Sequence, residues 1–249
     1  KFLAVELISL QGGMLVTSFA SDLPALSEAE LKAKLTDLED GGLFNKLGIV
    51  NFLEGDFFRW YLGAWGKDLA AALRQFAQTL AQFEPATSTL EPDSTRDLLK
   101  KLYQYLIPKS LRHDLGEYYT PDWLAERLLN QVGYDGDPAA RLIDPSCGSG
   151  TFVVLALKRL RANGTAKMLS AKQIAEAALK NIVGFDLNPL AVIAARTNYL
   201  LALGDLIRHT RPVEIPIYMC DSILTPTEGQ LELFSAGYTI HTTAGDFRI

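Results

Sequence analysis

The sequence predicts an α/β protein in which a doubly wound sheet follows an α-helical region. Up to about residue 135, Leu and Ala recur at spacings of three and four, which is helical periodicity. Beyond Pro138, short apolar stretches alternate with longer helical ones, as in strands joined by crossover helices. We therefore predict two parts, a helical region over residues 1–137 and a sheet region over residues 138–249.

The helical region contains separate start signals. Ser27 followed by Glu30 is a capping box and predicts a helix over residues 27–40. The periodicity predicts further helices over residues 57–62, 69–83 and 94–106. We expect the large apolar side chains of the middle part in the core: Trp60, Tyr61, Trp65, Leu73, Phe76, Leu80 and Phe83.

The sheet region is predicted to alternate three strands with three helices. The expected strands are residues 141–144, 182–186 and 215–220. The expected helices are residues 151–163, 171–180 and 189–207. Doubly wound sheets bind ligands beyond the carboxyl ends of their strands, and these ends carry Asp144, Asp186 and Asp221. The three aspartates therefore predict a binding site at this edge.

The first strand end reads LIDPSCGSGTF, residues 142–152. Gly148 and Gly150 allow the backbone to approach a ligand, although such a turn also uses glycine for geometry alone. A dinucleotide fingerprint would need a third glycine where Val153 stands, and a serine nucleophile elbow would need one where Cys147 stands. A nucleoside-type ligand without a pyrophosphate remains.

The other two strand ends suggest how a nucleoside would be held. Asp186 is placed to accept hydrogen bonds from two vicinal ribose hydroxyls, and Leu187 to lie against a base. Asn188 and the proline after it are better explained as the start of a helix. Asp221 is placed to accept from the amino group of a purine, although a lone aspartate there is more often a turn former.

Composition limits the classes of function. Residues 1–137 hold 13 Lys and Arg against 20 Asp and Glu, and the whole chain has a net charge of −5, so any main grip on DNA is expected outside this chain. Two cysteines predict a reducing compartment, the cytoplasm, and no disulfide. No apolar run approaches the roughly 18 residues of a membrane helix. The chain begins at Lys1, and we expect it to be part of a longer one.

Four motifs occur in a fixed order: GEYYTP at residues 116–121, DPSCGSG at 144–150, GFDLNP at 184–189 and CDS at 220–222. This set resembles the amino-group, adenine-specific DNA methyltransferases of the gamma arrangement, especially the large ones of restriction-modification systems. The YTP box decides the resemblance, because other methyltransferases share a glycine loop and an acidic strand end. The likeness covers about residues 50–249.

The resemblance implies a partial Rossmann-like sheet that binds S-adenosylmethionine. The implied contacts are Tyr118, Thr120 and Pro121 over the methionine part; Asp144, Cys147, Gly148 and Gly150 around the methionine and sulfonium; Asp186 and Leu187 at the ribose and adenine; and Asp221 at the adenine amino group. Thr120 is expected to cap a helix that starts at Pro121. Ser222 is small where the family often has an aromatic residue, and Ile223 is expected to substitute for it.

The catalytic NPP box of that family is absent from residues 1–249. We therefore expect this chain to hold the cofactor-binding half of the methyltransferase domain without the catalytic residues. Double-stranded DNA is the expected partner, bound mainly by parts of the protein outside this chain. We expect no metal site and no membrane partner. A methyltransferase of RNA or of a protein glutamine, and a non-catalytic cofactor-binding or assembly module, remain alternatives. In the family's strand order the first strand keeps an open edge, which a neighbouring chain or residues 231–249 are expected to cover.

Overall fold

The computed structural model describes residues 1–2, 4–6, 18–53, 57–82, 120–223, 239–242 and 245–248. The helices before the sheet are α1 (Phe19–Asp22), α2 (Glu28–Glu39), α3 (Gly42–Lys46), α4 (Trp60–Gly63), α5 (Lys67–Ala81) and α6 (Asp122–Gln131), with a 3-10 turn at Leu23–Ala25. The sheet region follows as β1 (Leu142–Asp144), α7 (Thr151–Ala166), α8 (Ala171–Asn181), β2 (Ile182–Asp186), α9 (Pro189–Leu203), a 3-10 helix (Gly204–His209) and β3 (Ile217–Met219).

The three strands form one parallel sheet in the order β1-β2-β3. Leu142 pairs with Ile182 and Gly184 pairs with Ile217, so the carboxyl ends of all three strands lie at the same edge. The mixed helix and parallel-sheet fold class is confirmed. β2 has the predicted bounds, whereas β1 and β3 are shorter than expected.

Local signals placed the starts of α7, α8 and α9 correctly. The helix predicted over residues 57–62 is the shorter α4, the one over 69–83 is α5 with both ends two residues earlier, and α7 extends three residues past 163. The helix predicted over residues 94–106 lies outside the described residues.

Ser27 caps α2 by accepting from the Glu30 amide, and the Glu30 carboxylate accepts from the Ser27 amide, which confirms the capping box. Ser170 and Gln173 form a second capping box before α8. The helix predicted over residues 189–207 ends earlier, at Leu203, because Gly204 has φ +53 and the chain continues as a 3-10 helix.

Two residues expected in the core are not there. Trp60 is 70% exposed at the start of the four-residue helix α4, and Phe76 is 54% exposed beside the ring of Phe2. The expectation was wrong for both because helical spacing identifies an apolar face without showing what packs on it. The partly buried members pack against the core as expected: Tyr61, Trp65, Leu73 and Leu80. Phe83 lies outside the described residues.

Helix α9 is the central helix of the sheet region. It contacts β2, β3 and α7, and Tyr199, Leu200 and Leu203 on it are fully buried. Together with the following 3-10 helix it spans 21 residues and is, by length and composition alone, apolar enough to cross a membrane. Its burial identifies it as a core helix of this fold.

A segment of the helical region runs beside the start of β3. The Val213 amide donates to the Gly48 carbonyl at 2.7 Å, and the Val50 amide donates to the Val213 carbonyl at 3.0 Å. The side-chain amide of Asn51 donates to the Ile215 carbonyl at 2.8 Å and accepts from the Ile215 amide at 2.7 Å. These contacts join the helical region to the sheet. The domain boundary at residue 137 stays a prediction.

One buried guanidinium completes this junction. Arg196 of α9 is fully buried, and its Nε and Nη2 donate to the Ile217 carbonyl at 2.9 and 2.6 Å. Its Nη1 donates to the Phe52 carbonyl at 3.2 Å. The fixed fork of an arginine reaches both acceptors at once, so α9, β3 and the segment ending at Phe52 are held by one side chain.

β1 is an edge strand in the part of the chain that the structure describes, since it pairs with β2 alone. Ile143 at its centre is 58% exposed. The strands β4 (Thr239–Thr242) and β5 (Gly245–Arg248) form a separate antiparallel pair. The described part of residues 231–249 thus forms no ladder with β1, and the expectation that this segment or a neighbouring chain covers part of the edge stays a prediction.

Replacing Arg196 with methionine tests the junction. Arg196→Met should lower the free energy of unfolding by on the order of 3 kcal/mol, because the buried carbonyls of Ile217 and Phe52 lose a charged donor. Urea unfolding followed by circular dichroism measures the change. Arg127→Met, at an exposed position of α6, is the control and should change stability little. Equal midpoints for both variants would contradict the role given to Arg196.

Candidate functional site

The predicted aspartates lie at one edge of the sheet. Asp144 is the last residue of β1 and Asp186 the last residue of β2, while Asp221 follows the end of β3 by two residues. In the parallel register Asp144 lies beside Gly184, and Asp186 lies beside Met219. The geometry thus assembles the carboxyl-end cluster that the sequence predicts, and the binding role of these residues stays a prediction.

Asp186 connects the loop after β1 to the end of β2. Its Oδ2 accepts a hydrogen bond from the Gly148 amide at 2.7 Å, and its Oδ1 accepts from the Asn188 amide at 2.9 Å. A carboxylate offers about four acceptor positions, so holding these amides is compatible with accepting a ligand hydroxyl. Asp186 is therefore a structural link within the site as well as a candidate ligand residue.

The loop of residues 145–150, called the glycine loop below, is built from backbone contacts. The Cys147 amide donates to the Phe185 carbonyl at 2.7 Å, and the Gly150 amide donates to the Cys147 carbonyl at 2.8 Å. Gly148 has φ +53 and Gly150 has φ +88, conformations that favour glycine. A Cβ on Gly148 would meet no described atom within 4 Å, whereas one on Gly150 would lie 3.4 Å from Ala195. Gly148 thus faces no other described residue, and Gly150 packs on α9.

The Cys147 side chain lies beneath this loop. It is buried, and a Cβ on Gly184 would lie 3.1 Å from its Sγ. Burial, followed by the nearby Asp186 and Asp144 carboxylates, raises the pKa of the Cys147 thiol well above its usual range. The thiol therefore stays protonated and acts as a packing group. Cys147 and Cys220 are both free, as predicted.

The start of α6 differs from the expectation. The helix begins at Asp122, and Pro121 is its N-cap residue in an extended conformation without a side-chain capping bond. The expectation that Thr120 caps a helix beginning at Pro121 was therefore wrong, because Thr120 lies one position too early to reach the first-turn amides. Tyr118 lies outside the described residues. The wall over the methionine part stays a prediction.

The residues expected at the adenine end differ in exposure. Leu187 is half exposed, Asp221 and Ser222 are partly buried, and Ile223 is largely exposed. Asp221 Oδ1 accepts from the Ile223 amide at 2.9 Å, which is a turn-forming contact. Asn188 Oδ1 accepts from the Leu190 amide at 2.9 Å and so caps α9, as predicted.

Sequence reasoning missed one residue that contacts the glycine loop. The side-chain amide of Asn198, on α9, donates to the Ser149 carbonyl at 2.9 Å. Asn198 is buried on α9 directly after two other buried polar residues, Arg196 and Thr197. A buried side-chain amide needs a hydrogen-bond partner, although the sequence does not show which one.

The strand-end edge is electrostatically negative. Burial and the nearby Asp186 carboxylate raise the pKa of Asp144, while a hydrogen bond from the Ser146 amide at 3.2 Å opposes the shift. Two carboxylates in a partly desolvated place favour a cationic ligand and disfavour a pyrophosphate. Among the described residues, no group of three or more His, Cys, Asp or Glu side chains is arranged to hold a metal ion.

A cavity of about 340 Å³ lies in the helical region, away from the strand ends, between α2, α3 and the segment around Phe52. Glu39 lines this cavity. Its carboxylate accepts a hydrogen bond from the Tyr61 hydroxyl at 2.7 Å and forms an ion pair with Lys1. Arg59 on its wall pairs with Asp40 at 3.0 Å. These charges are already paired with one another, which favours a structural role.

Comparison with known proteins decides the family. Residues 94–234 match the family model described as N-6 DNA Methylase. The chain belongs to this family. The resemblance based on the four sequence motifs, to adenine-specific DNA methyltransferases of restriction-modification systems, is thereby confirmed.

Two curated relatives match this N-6 DNA methylase chain over only part of their own length. It is 32% identical over 188 residues to the adenine-specific methyltransferase PglX of Streptomyces coelicolor, covering 68% of this chain and 15% of that protein. It is 27% identical over 116 residues to the type I restriction enzyme MjaIX methylase subunit of Methanocaldococcus jannaschii, covering 45% and 18%. The chain thus spans less than a fifth of the length of either relative. No solved structure matches it.

Asp144→Asn should make the free chain more stable at pH 7. The substitution keeps an acceptor for the Ser146 amide and removes a carboxylate whose raised pKa shows that its charged form is disfavoured in the fold. A raised folded pKa penalises folding above that pKa, and the penalty disappears below the unfolded value of about 3.9. The gain should therefore shrink as the pH falls towards that value.

Thermal unfolding of both proteins at pH 7 and at low pH measures this gain. Asp205→Asn, which removes an exposed partner of Arg161, is the control and should bring no such gain. A lower melting temperature for Asp144→Asn at both pH values would contradict the electrostatic account.

Proposed function

We propose that the strand-end edge is the S-adenosylmethionine site of an adenine-specific DNA methyltransferase of a restriction-modification or phage-defence system. The observation that carries the proposal is the bond from the Gly148 amide to Asp186, which joins the DPSCGSG and GFDLNP motifs into one site. On this proposal the three parallel strands are half of a Rossmann-like methyltransferase sheet.

The charges of the site fit this cofactor. S-adenosylmethionine carries a cationic sulfonium and an amino group, and Asp144 and Asp186 place two carboxylates at the edge where these would lie. The carboxylate of the cofactor fits the start of α7, a 16-residue helix whose N-cap residue, Gly150, has no side chain that could bond the first amides. No described atom would lie within 4 Å of a Cβ on Gly148, which lets the methionine part approach the backbone there. When bound, the cofactor supplies an electrophilic methyl group.

The nucleoside end would be held by β2 and β3. Asp186 would accept from the ribose hydroxyls while it retains the Gly148 and Asn188 amides. The half-exposed Leu187 would cover one face of the adenine, and Asp221 would accept from its amino group. Ile223, which is largely exposed, would close the other face in place of the aromatic residue common in the family.

The target is inferred from the family and the relatives. One relative is named an adenine-specific methyltransferase and the other a methylase subunit of a type I restriction enzyme. We propose that this protein transfers methyl to the adenine amino group of double-stranded DNA in the cytoplasm. The net charge of −5 favours a main DNA grip outside residues 1–249.

Catalytic positioning is the part that residues 1–249 do not supply on this proposal. Methyl transfer needs the adenine amino group held in line with the sulfonium methyl. The NPP box that holds this group in the family is absent from the sequence. The chain would therefore bind the cofactor without aligning the acceptor.

Asp186→Ala tests the cofactor site. Losing a charged acceptor costs on the order of 1.5 to 3 kcal/mol per hydrogen bond, so affinity for S-adenosylmethionine should fall at least roughly tenfold. Isothermal titration calorimetry measures the affinity. The control is Asp205→Ala, which removes an exposed carboxylate paired with Arg161 and should leave affinity unchanged. Unchanged affinity in Asp186→Ala would refute the site.

Label transfer tests whether residues 1–249 lack the groups that align the target adenine. The 249-residue chain, incubated with methyl-labelled S-adenosylmethionine and mixed-sequence duplex DNA, should transfer no label above background. Aligned geometry alone is worth roughly 7 to 11 kcal/mol of barrier, which is many orders of magnitude in rate. Scintillation counting of the recovered DNA gives the result, with a known DNA methyltransferase as positive control. Label in the DNA would show that this chain has an acceptor site of its own.

A further inference from the structure

We infer that Asn198 is a positioning residue for the glycine loop and thereby sets affinity for the amino-acid part of the cofactor. The inference rests on the proposed function and extends it to a residue on α9 that has no place among the sequence motifs. Asn198 would not touch the ligand. It would act through the peptide between Ser149 and Gly150.

That peptide is fixed on both sides. Its carbonyl, on Ser149, accepts from Asn198 Nδ2 at 2.9 Å, and its amide, on Gly150, donates to the Cys147 carbonyl at 2.8 Å. Asn198 is 2% exposed and Ser149 is 5% exposed. If the Asn198 amide were removed, water could therefore not easily take its place as donor to the Ser149 carbonyl. The orientation of this peptide determines how the loop enters α7 at Thr151.

Helix α9 also supports the loop by packing. A Cβ on Gly150 would lie 3.4 Å from Cα and Cβ of Ala195, which shows how closely the two backbones approach. Ala195 and Asn198 are three residues apart and therefore lie on the same face of α9. The loop is thus held from the helix by Ala195 and Asn198, and from β2 by Asp186 through Gly148.

The contacts divide the site into two ends. Asn198 supports the end of the loop next to the first turn of α7, where the methionine carboxylate is proposed to lie. Leu187 and Asp221, proposed for the adenine, belong to other segments of the chain. Loss of the Asn198 donor leaves the buried Ser149 carbonyl unsatisfied and frees the peptide to reorient. The effect should therefore fall on the amino-acid part of the ligand more than on the nucleoside part.

A second buried asparagine provides a matched control. Asn181 is 8% exposed, and its side-chain amide donates to the Pro138 carbonyl at 2.7 Å. It is the last residue of α8 and precedes β2, so it lies at the amino end of the strand, opposite the proposed site. Asn181→Ala removes the same kind of bond without touching the glycine loop.

Two ligands separate positioning from stability. S-adenosylhomocysteine carries the nucleoside and the amino-acid part, whereas 5′-methylthioadenosine carries the nucleoside without the amino acid. Calorimetric affinities for both are measured with the unaltered 249-residue chain and with Asn198→Ala, Asn198→Ser and Asn181→Ala. We expect Asn198→Ala to weaken S-adenosylhomocysteine about tenfold more than 5′-methylthioadenosine. Asn198→Ser, which keeps a short donor, should lose less, and Asn181→Ala should leave the ratio unchanged.

Several results would overturn the inference. Equal weakening of both ligands by Asn198→Ala, or no weakening, would assign the residue to general stability. Failure of both Asn198 variants to fold, while Asn181→Ala folds, would make Asn198 a determinant of the fold and would equally refute the positioning role. Failure of the unaltered chain to bind either ligand would instead refute the proposed cofactor site, so the two hypotheses fail in different ways.

Discussion

The hydrogen bond from the Gly148 amide to the Asp186 carboxylate is the contact on which the candidate site depends. It joins the loop after β1 to the end of β2, two segments 38 residues apart in the chain. Parallel pairing of β1 with β2 makes the contact possible, because it brings both carboxyl ends to one edge. Gly148 has a positive φ, and a Cβ on it would meet no described atom within 4 Å. This hydrogen bond thus fixes the glycine loop relative to β2 and holds the Asp186 carboxylate at the edge.

Helix α9 connects this edge to the rest of the molecule. It begins directly after the Asp186 turn, supports the glycine loop through Ala195 and Asn198, and holds β3 through Arg196. The same guanidinium reaches the Phe52 carbonyl in the helical region. Two of the buried polar residues of this largely apolar helix, Arg196 and Asn198, thus each hold a carbonyl of a neighbouring segment.

The carboxylates at this edge lower the stability of the free protein but favour binding of a cationic ligand. Burial raises the pKa of Asp144, and the nearby Asp186 carboxylate adds to the shift, so the free protein carries a charge that the fold disfavours. A cationic ligand would relieve this repulsion, whereas a dinucleotide would add to it. The raised pKa of the Cys147 thiol follows from the same surroundings and removes that residue from consideration as a nucleophile.

The sequence by itself determined the α/β class, the bounds of β2, the capping box at Ser27 and the positions of Asp144 and Asp186 at strand ends. These features follow from periodicity, caps and turns, which depend on residues close together in the chain. Only the tertiary structure decided that Trp60 and Phe76 are exposed, that Pro121 rather than Thr120 precedes α6, and that Asn198 and Arg196 hold distant carbonyls. The buried bonds depend on which surfaces meet across 21 to 144 residues of chain, as in the 49 that separate Ser149 from Asn198 and the 144 that separate Phe52 from Arg196. No local pattern specifies such a meeting.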